Sequence, residues 1–380
     1  MNTRRALLGL SSLGLMSNFL SACGGGHNDS DSPPPTLTPA PAPESSPAVW
    51  RMPDEGEAHR AIWMAFAARE SVWGAKLSKP VQQALARIAN AISAFEPVKM
   101  LVSAQDMTTA RALCGPAVQL IEHEIDDLWI RDTGCVFVKN SRGERAAVNF
   151  NFNGWGGKQS HARDATVAAR MANLAGVPLL SSTLVLEGGG IEVDGQGTAI
   201  ITESCVLNVN RNPGVSKAQA EIELKRLLGL EKIIWLPGIA GKDITDGHTD
   251  FYARFLKPGV VIAALENDSS SFDYPVTRRH LELLRNATDA KGRALQVVPL
   301  ESPKQVRPTY AGRDFAAGYV NFLLTEKALF MPEFGDAVSD RTARMALAAY
   351  LPQHQIVAID IDAIAAGGGG IHCTTQQEPA

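Results

Sequence analysis

The side chains that could do chemistry in this sequence are one cysteine, one histidine and three carboxylates, each in a short glycine-rich or polar segment. They are Cys373 in GGGGIHC, His248 and Asp250 in DGHTD, Asp132 in WIRDTG and Glu187 in LEGGG. A guanidinium carries five donors in a rigid plane that pairs with carboxylates, so two acids could hold such a cation. A thiolate beside the cation could attack its central carbon while a histidine moves protons. The pattern therefore indicates hydrolysis of a guanidinium group through a covalent cysteine intermediate.

Each side chain has a role in this hypothesis. The two aspartates clamp the cation, and Trp129 packs against the apolar stem or the cationic plane of the substrate. Cys373 is the nucleophile, and His248 protonates the departing ammonia and then deprotonates the water that releases the product. Glu187 orients His248 and stabilises its charged form, as the third member of a triad does. His372 is predicted to be structural, because adjacent side chains on an extended backbone point to opposite sides.

The order of predicted elements repeats along the chain with a period of about 60 residues. Each unit has two short apolar runs across a turn, an amphipathic helix, and a β-rich run such as KIIWLP or QIVAIDI. No GxGxxG fingerprint lies between a strand and a helix, which disfavours a Rossmann sheet. The fold class predicted is α/β, with five ββαβ units in a propeller-like ring. The predicted helices are Lys79–Phe95, Ala162–Leu174, Ser216–Leu228, Val276–Ala290 and Asp340–Tyr350.

The candidate residues occupy comparable points of this repeat. Asp132 follows the run VQLIEHEI, Glu187 follows VPLLSSTLVL, His248 follows KIIWLP, and Cys373 follows QIVAIDI. In a ring, equivalent points of successive units converge on one axis. The repeat therefore predicts a central active site in which the cysteine, the histidine and the carboxylates meet.

The composition excludes other classes of protein. The formal net charge is -4 and no lysine or arginine run offers a basic surface, so no nucleic-acid partner is expected. The five cysteines include no CxxC pair and no zinc-finger spacing. A disulfide scaffold or a structural metal site is therefore not expected.

The first 48 residues have the pattern of an export signal followed by a tether. Residues 1–23 combine two arginines with a short apolar stretch and end on LSAC, which resembles a bacterial lipobox with Cys23 as the lipidated residue. A plain secretory peptide is the alternative. Residues 24–48 are rich in Gly, Ser and Pro and are predicted to be a disordered tether. We expect residues 49–380 to form the catalytic domain of an exported, membrane-anchored lipoprotein, in the periplasm or on the outer membrane of a bacterium.

The segments around the candidate residues are similar to a known family. DDLWIRDTG, NFNGWGGK, LEGGGIEVDGQGT, TESCVLNVNRNPG, DITDGHTDFYARF and GGGGIHCTTQQEP resemble agmatine deiminases and porphyromonas-type peptidylarginine deiminases, over residues 49–379. The resemblance implies the guanidine-modifying (pentein) fold, a five-bladed α/β propeller, and a cysteine hydrolase without metal or organic cofactor. The family's nucleophile, acid/base, two guanidinium-binding acids, supporting acid and packing tryptophan fall on Cys373, His248, Asp132, Asp250, Glu187 and Trp129.

The resemblance also bears on the substrate. The segment NFNFNGWGGK carries Trp155 and no arginine, whereas porphyromonas-type peptidylarginine deiminases have arginines there. This favours agmatine, hydrolysed to N-carbamoylputrescine and ammonia in putrescine biosynthesis, with Trp155 as either core or pocket wall. Lys158 could meet a substrate carboxylate, but we expect a surface lysine. A homo-oligomer is an expectation from the family.

Three other functions stay open at this point. One is a peptidylarginine deiminase that converts arginine in proteins or peptides to citrulline. Another is a lipoprotein that binds guanidino compounds without turnover, although binding alone needs no nucleophile. The third is a Cys-His amidase, which two acids around the reacting carbon disfavour.

Overall fold

The computed structural model describes residues 49–312 and 314–380. The predicted signal peptide, its lipidation residue Cys23 and the predicted tether of residues 24–48 lie outside the described residues. Within the described ranges the chain forms seventeen strands in five mixed sheets, with six helices of seven residues or more and several short helical turns. The predicted α/β class is confirmed.

The strands and the longer helices have the following bounds in the described part of the chain. The strands are β1 Trp50–Arg51, β2 His59–Phe66, β3 Val98–Val102, β4 Val118–Glu122, β5 Val136–Asn140, β6 Arg145–Asn149, β7 Leu179–Ser181, β8 Ile191–Val193, β9 Thr198–Thr202, β10 Lys232–Leu236, β11 Ala253–Lys257, β12 Val260–Leu265, β13 Gln296–Glu301, β14 Leu323–Leu324, β15 Ala328–Glu333, β16 Gln355–Asp360 and β17 Gln376–Pro379. The helices are α1 Glu70–Ser93, α2 Met107–Leu113, α3 Val167–Ala175, α4 Lys217–Leu228, α5 Asp273–Arg285 and α6 Ala337–Tyr350.

All five sheets contain the same ββαβ unit. A first strand pairs antiparallel with a second strand, and the second pairs parallel with a third that follows a helix. The first strands are β5, β8, β11, β14 and β17, and the helices between second and third strands are α3, α4, α5, α6 and α1. The order of elements predicted from the repeat is therefore present in every sheet.

One unit is assembled from both ends of the described chain. The C-terminal strand β17 pairs antiparallel with β2, with Gln376 opposite Trp63, and β2 continues in parallel to β3 and β4. Glu378 on β17 accepts a hydrogen bond from Trp63 Nε1 and pairs with Lys99 and Arg145. The last residues of the chain are therefore a buried strand and not a frayed end.

Capping and backbone geometry move several predicted helix bounds. Helix α1 begins at Glu70, well before the predicted start, and contains a kink at Gly74, where φ is 70°. Helix α4 agrees with the prediction because Ser216 and Gln219 form a capping box. Helix α5 ends earlier than predicted, at Arg285. Helix α2 is not in the predicted pattern, whereas strand β4, which extends the sheet of β17, β2 and β3, lies in the run VQLIEHEI that precedes Asp132.

The apolar faces of the helices pack on the sheets. Helix α1 buries Val81, Leu85 and Ile88 in the largest cluster, which also contains Ile62 of β2 and Phe330 of β15. Among the described residues, no helix combines the length and the apolarity that crossing a membrane requires.

Candidate active site

Four short helical turns contain the predicted site residues or directly follow them, since Glu187 and His248 each precede a turn by one residue. Each turn lies shortly before the first strand of a ββαβ unit. The turn Ile130–Thr133 precedes β5, Gly188–Gly190 precedes β8, Thr249–Phe251 precedes β11, and His372–Thr374 precedes β17. The first turn contacts the second and the fourth, and the second contacts the third. The repeat therefore places Cys373, His248, Asp250, Asp132 and Glu187 beside one another.

Cys373 lines a pocket and has polar neighbours on two sides. Its Sγ is 3.3 Å from Nδ2 of Asn321 and 3.6 Å from Oδ2 of Asp250. Burial, together with the negative charges of Asp250 and Asp132, raises the pKa of the Cys373 thiol well above its usual range. The thiol is therefore held protonated unless a cation offsets the two carboxylates.

His248 is buried between two acids. Its Nε2 is 3.1 Å from Oε2 of Glu187, and its Nδ1 is 3.7 Å from Oδ1 of Asp132. Burial disfavours the imidazolium, but Asp132, Cys205 and Glu187 outweigh it and raise the pKa of His248 well above its usual value. Because Glu187 occupies Nε2, Nδ1 is the nitrogen that faces the clamp acid.

The two predicted clamp acids have different partners. Asp132 accepts hydrogen bonds from the backbone N–H of Gly189 at 3.1 Å and from Nε1 of Trp155 at 3.0 Å. Asp250 Oδ2 is 2.7 Å from Nδ1 of His372, whereas Asp250 Oδ1 is buried and has no hydrogen-bond partner among the described residues. A buried polar atom without a partner costs about 1–3 kcal/mol, and more when it is charged. A ligand that donates a hydrogen bond to Asp250 Oδ1 removes this cost.

The environments of the two acids also give them different pKa values. Burial raises the pKa of Asp132 to about 6, and Asp250 and Glu187 add to the rise while His248 opposes it. Burial also opposes ionisation of Asp250, but its hydrogen bond with His372 and the nearby positive charges leave the pKa of Asp250 lowered. Both acids are therefore mainly ionised at neutral pH.

His372 contacts the site directly, which the sequence does not predict. It lies in a helical turn and not on an extended backbone, so the reason given for turning its side chain away from the site is wrong. Its Nδ1 contacts Asp250, and its Nε2 is 2.8 Å from Oε2 of Glu55. Glu55 also accepts hydrogen bonds from Arg131 and Arg254. His372 therefore links Asp250 to a buried cluster of charges and holds it in place.

The sequence pattern does not single out Asn321 or Glu55. Asn321 donates to the thiol of Cys373 and accepts from its backbone N–H at 3.3 Å. A signal for Asn321 does exist, because one unit lacks a predicted site residue and Asn321 lies just before its first strand, β14. Glu55 lies in the segment MPDEGE, where nothing in the spacing separates it from the neighbouring acids.

Aromatic side chains form the wall of the pocket. Trp129 and Trp155, both predicted to contact the substrate, line it together with Trp73 and Phe251. Asp127 fixes two of the rings, because it accepts hydrogen bonds from Nε1 of Trp73 at 2.9 Å and from Nε1 of Trp129 at 3.1 Å. Trp155 is both buried and part of the wall, so the two alternatives for this residue are compatible. The described residues that line the pocket include no lysine or arginine.

The glycine run before the nucleophile passes closely against this wall. A methyl group at Gly367 would overlap the ring of Trp73, and one at Gly369 would overlap the ring of Trp129. Side chains in this run would therefore displace both tryptophans from the pocket.

A group of three side chains has the composition of a metal site. Glu187, Cys205 and His248 lie close together and are buried, with Cys205 Sγ 3.6 Å from Oε2 of Glu187. However, Nε of Arg211 donates to both carboxylate oxygens of Glu187 at 2.9 Å. A metal ion would have to lie beside that guanidinium, so we assign no metal to this group.

Comparison with known proteins gives a consistent result. The family model for Porphyromonas-type peptidyl-arginine deiminase matches residues 51–379. The agmatine deiminase of Ectopseudomonas mendocina is 38% identical over 368 residues, which cover 91% of this chain and 98% of the relative. The agmatine deiminase of Pseudomonas fluorescens is 38% identical over 355 residues, covering 87% and 95%.

A solved structure of the agmatine deiminase of Enterococcus faecalis, described as catalysing its reaction, has a TM-score of 0.82 to this protein. It shares 35% sequence identity and covers 87% of this chain and 96% of its own. The matched range of the family model includes all four helical turns of the site. The chain therefore belongs to the family of agmatine deiminases and Porphyromonas-type peptidyl-arginine deiminases.

Proposed function

We propose that the protein is a hydrolase that converts agmatine to N-carbamoylputrescine and ammonia, a reaction that serves putrescine biosynthesis. The observation that carries the proposal is the pair Asp132 and Asp250 beside Cys373, with the buried oxygen Oδ1 of Asp250 lacking a donor in the described part of the chain. A planar cation with several N–H groups is the ligand that such a pair of carboxylates binds. The names of the relatives support the same reaction.

The first step is binding of the guanidinium between the two aspartates. Oδ1 of Asp250 accepts one N–H, and Asp132 accepts others beside its bonds to Gly189 and Trp155. The positive charge offsets the carboxylates that raise the pKa of the Cys373 thiol, so the thiolate forms when substrate is bound and the thiol proton passes to solvent. Trp129 and Trp155 exclude water from the reacting carbon.

The second step is covalent. The thiolate of Cys373 attacks the central guanidinium carbon and forms a tetrahedral adduct. The imidazolium of His248 gives the proton on Nδ1 to the departing nitrogen, and the carbon–nitrogen bond breaks to release ammonia. The resulting amidino thioether is attacked by water, from which His248 takes a proton. Breakage of the carbon–sulfur bond then releases N-carbamoylputrescine and the thiolate, and the proton of the added hydroxyl passes to solvent.

The pocket lining favours agmatine over arginine. Arginine carries an α-carboxylate, which has no cationic partner among the described lining residues, whereas the acid Asp127 is one of them. Lys158 does not serve this purpose, because its Nζ is 2.7 Å from Oδ2 of Asp246 and also donates to the carbonyl oxygen of Ile244. The amine at the end of agmatine has no such conflict.

We expect agmatine to exceed free arginine and a peptidyl-arginine substrate by at least about tenfold in kcat/KM, which corresponds to about 1.4 kcal/mol. The measurement is ammonia release by protein lacking residues 1–48, with each of the three substrates at subsaturating concentration. A preference for the peptide would move the assignment to peptidylarginine deiminase. Tight binding of agmatine without ammonia release would identify a guanidino-binding protein instead.

We also propose the finer fold that the resemblance implies. The five ββαβ sheets are arranged as the blades of an α/β propeller, and the site lies on the central axis. Contacts among the turns before β5, β8, β11 and β17, together with the pairing of β17 with β2, support this arrangement. A homo-oligomer is the assembly expected of this family, and sedimentation of the purified protein tests it.

We propose that the protein is exported and anchored through Cys23, on the pattern of residues 1–23. Full-length protein produced in a bacterial host is expected to incorporate radioactive palmitate and to fractionate with membranes. A Cys23→Ala variant is the matched control, because it keeps the apolar stretch but removes the lipidated thiol. Equal labelling of both proteins, or an unprocessed chain in the cytosol, would refute the anchor.

A further inference from the structure

Four residues form a closed ring that includes the general acid/base His248. Oε2 of Glu187 is 3.1 Å from Nε2 of His248, and Nε of Arg211 donates to Glu187 at 2.9 Å. Nη1 of Arg211 donates to Oδ2 of Asp246 at 2.8 Å, and Asp246 is joined to His248 through Gly247 of the backbone. We call this set the Arg211 ring. Arg211 and Asp246 have no place in the predicted site, although Arg211 lies in the motif NRNPG.

Asp246 is built into the ring by many contacts. Its Oδ2 also accepts from Nδ2 of Asn210 at 3.0 Å and pairs with Nζ of Lys158 at 2.7 Å, and its Oδ1 accepts from the backbone N–H of Gly241 at 2.8 Å. The backbone of Asp246 is left-handed, with φ of 61°, a conformation that is unfavourable for a residue with a side chain. The side-chain contacts offset this strain. They fix the turn from which His248 projects.

Arg211 completes the attachment of the same turn. Its Nη2 donates to the carbonyl oxygen of Thr245 at 3.0 Å, and Oγ1 of Thr245 accepts from the backbone N–H of His248 at 3.0 Å. Arg211 therefore binds both the backbone before His248 and Glu187, the acid that orients the imidazole of His248. A guanidinium suits this place because its planar fork reaches several acceptors at once.

We propose that Arg211 and Asp246 are positioning residues, which hold His248 in its catalytic orientation and set the charge that it faces. The inference rests on the proposed function, because that function gives His248 its proton transfers. Arg211 places a positive charge on the far side of Glu187 and opposes the imidazolium of His248. Asp246 carries a negative charge against Arg211 and favours the imidazolium. The two residues therefore act on His248 in opposite directions.

The two variants leave in place the other groups that face His248, although the charge of Arg211 also opposes the rise in the pKa of the Cys205 thiol. These groups are Asp132 at 3.7 Å, the thiol of Cys205, and the more distant charge of Asp250. Asp246 itself is ionised across the pH range in which His248 is titrated, because its hydrogen bonds outweigh burial and lower its pKa to about 2. Opposite effects of the two variants can therefore be assigned to the charges of Arg211 and Asp246.

The experiment titrates His248 directly in the free protein, by NMR of histidine labelled at the ring carbon, with the His248→Gln variant to identify its signal. The Arg211→Gln variant is expected to raise the pKa of His248 by about one pH unit, because Glu187 loses its cationic partner. The Asp246→Asn variant is expected to lower it by about half a pH unit, because Arg211 loses its anion. The control is Arg226→Gln, which removes an exposed arginine paired with Glu223 and should not move the signal.

Turnover of agmatine gives the second readout. Both ring variants are expected to lose about tenfold or more in kcat with a smaller change in KM, and Arg211→Lys should restore the His248 titration but not the full kcat. Shifts in the same direction for Arg211→Gln and Asp246→Asn, or unchanged titration with lower melting temperatures, would overturn the proposal and leave a structural role. The titration needs no substrate, so it decides the inference even if agmatine is not hydrolysed.

Discussion

The Cys373→Ala variant is expected to lose ammonia release from agmatine, with a fall in kcat of at least about a thousandfold. The reason is that the other side chains of the site bind and polarise the guanidinium but cannot attack its carbon. Asp132, Asp250 and His248 are held by their own partners, so the loss of one sulfur atom leaves the clamp in place. Binding of agmatine should therefore persist in the variant while turnover disappears.

Two measurements separate chemistry from folding in this test. Calorimetric titration of the Cys373→Ala variant should detect agmatine binding, and the melting temperature should stay close to that of the unaltered protein. In the unaltered protein, mass spectrometry of acid-quenched turnover should find an amidino adduct on Cys373. The control is Cys114→Ser, a thiol in the half-buried region beside Met100, which should keep full activity. Undiminished ammonia release by Cys373→Ala would exclude the covalent mechanism.

The organisation of the fold follows from the sequence because the hydrophobic pattern repeats. Turn residues between paired apolar runs predict the hairpins β5–β6, β8–β9 and β11–β12, and amphipathic helices before β-rich runs predict the parallel third strands. The pairing of β17 with β2 is a different matter. It joins residues at opposite ends of the domain, and a local pattern does not reveal which edge accepts the C-terminal strand.

The predicted site residues share one property, which is their place in the repeat shortly before a first strand. That position can be predicted from the sequence without knowing any contact. Asn321 occupies the same position in its unit, but a neutral amide is not an obvious candidate for catalysis. Glu55, Arg211 and Asp246 are harder to find because their importance comes from partners far away in the sequence. Glu55 reaches Leu324 and His372, and Arg211 reaches Glu187 and Asp246. Buried charges need such partners, and only the folded chain shows which residues supply them.

His372 illustrates why backbone conformation decides the direction of a side chain. On an extended chain it would point away from Cys373, but the turn His372–Thr374 is helical, so the two side chains lie on a common side of the site. The glycine run before it bears on the same point. Gly367 and Gly369 have no side chain, so the backbone can run directly against Trp73 and Trp129. The turn that carries His372 and Cys373 therefore begins at the wall of the pocket.

The Asp250→Asn variant is expected to lose about 10²- to 10³-fold in kcat/KM for agmatine, because a charged partner of the bound guanidinium is replaced by a neutral amide. The same change should make the Cys373 thiol more reactive in the absence of substrate. Asp250 Oδ2 is 3.6 Å from Sγ, and its negative charge helps to raise the pKa of the thiol. Without that charge the pKa of Cys373 falls toward its usual range, and more thiolate is present at neutral pH.

The two effects have opposite signs, which makes the test specific. Turnover of agmatine is measured beside the rate at which iodoacetamide alkylates Cys373, identified by peptide mass spectrometry. Without substrate, alkylation should be slow in the unaltered protein because the pKa of the Cys373 thiol is raised, and faster in Asp250→Asn. Asp268→Asn, an exposed acid of the loop before α5, is the control for a lost charge elsewhere. If Asp250→Asn lowered turnover and alkylation together, Asp250 would act by placing the nucleophile and not by pairing with the guanidinium.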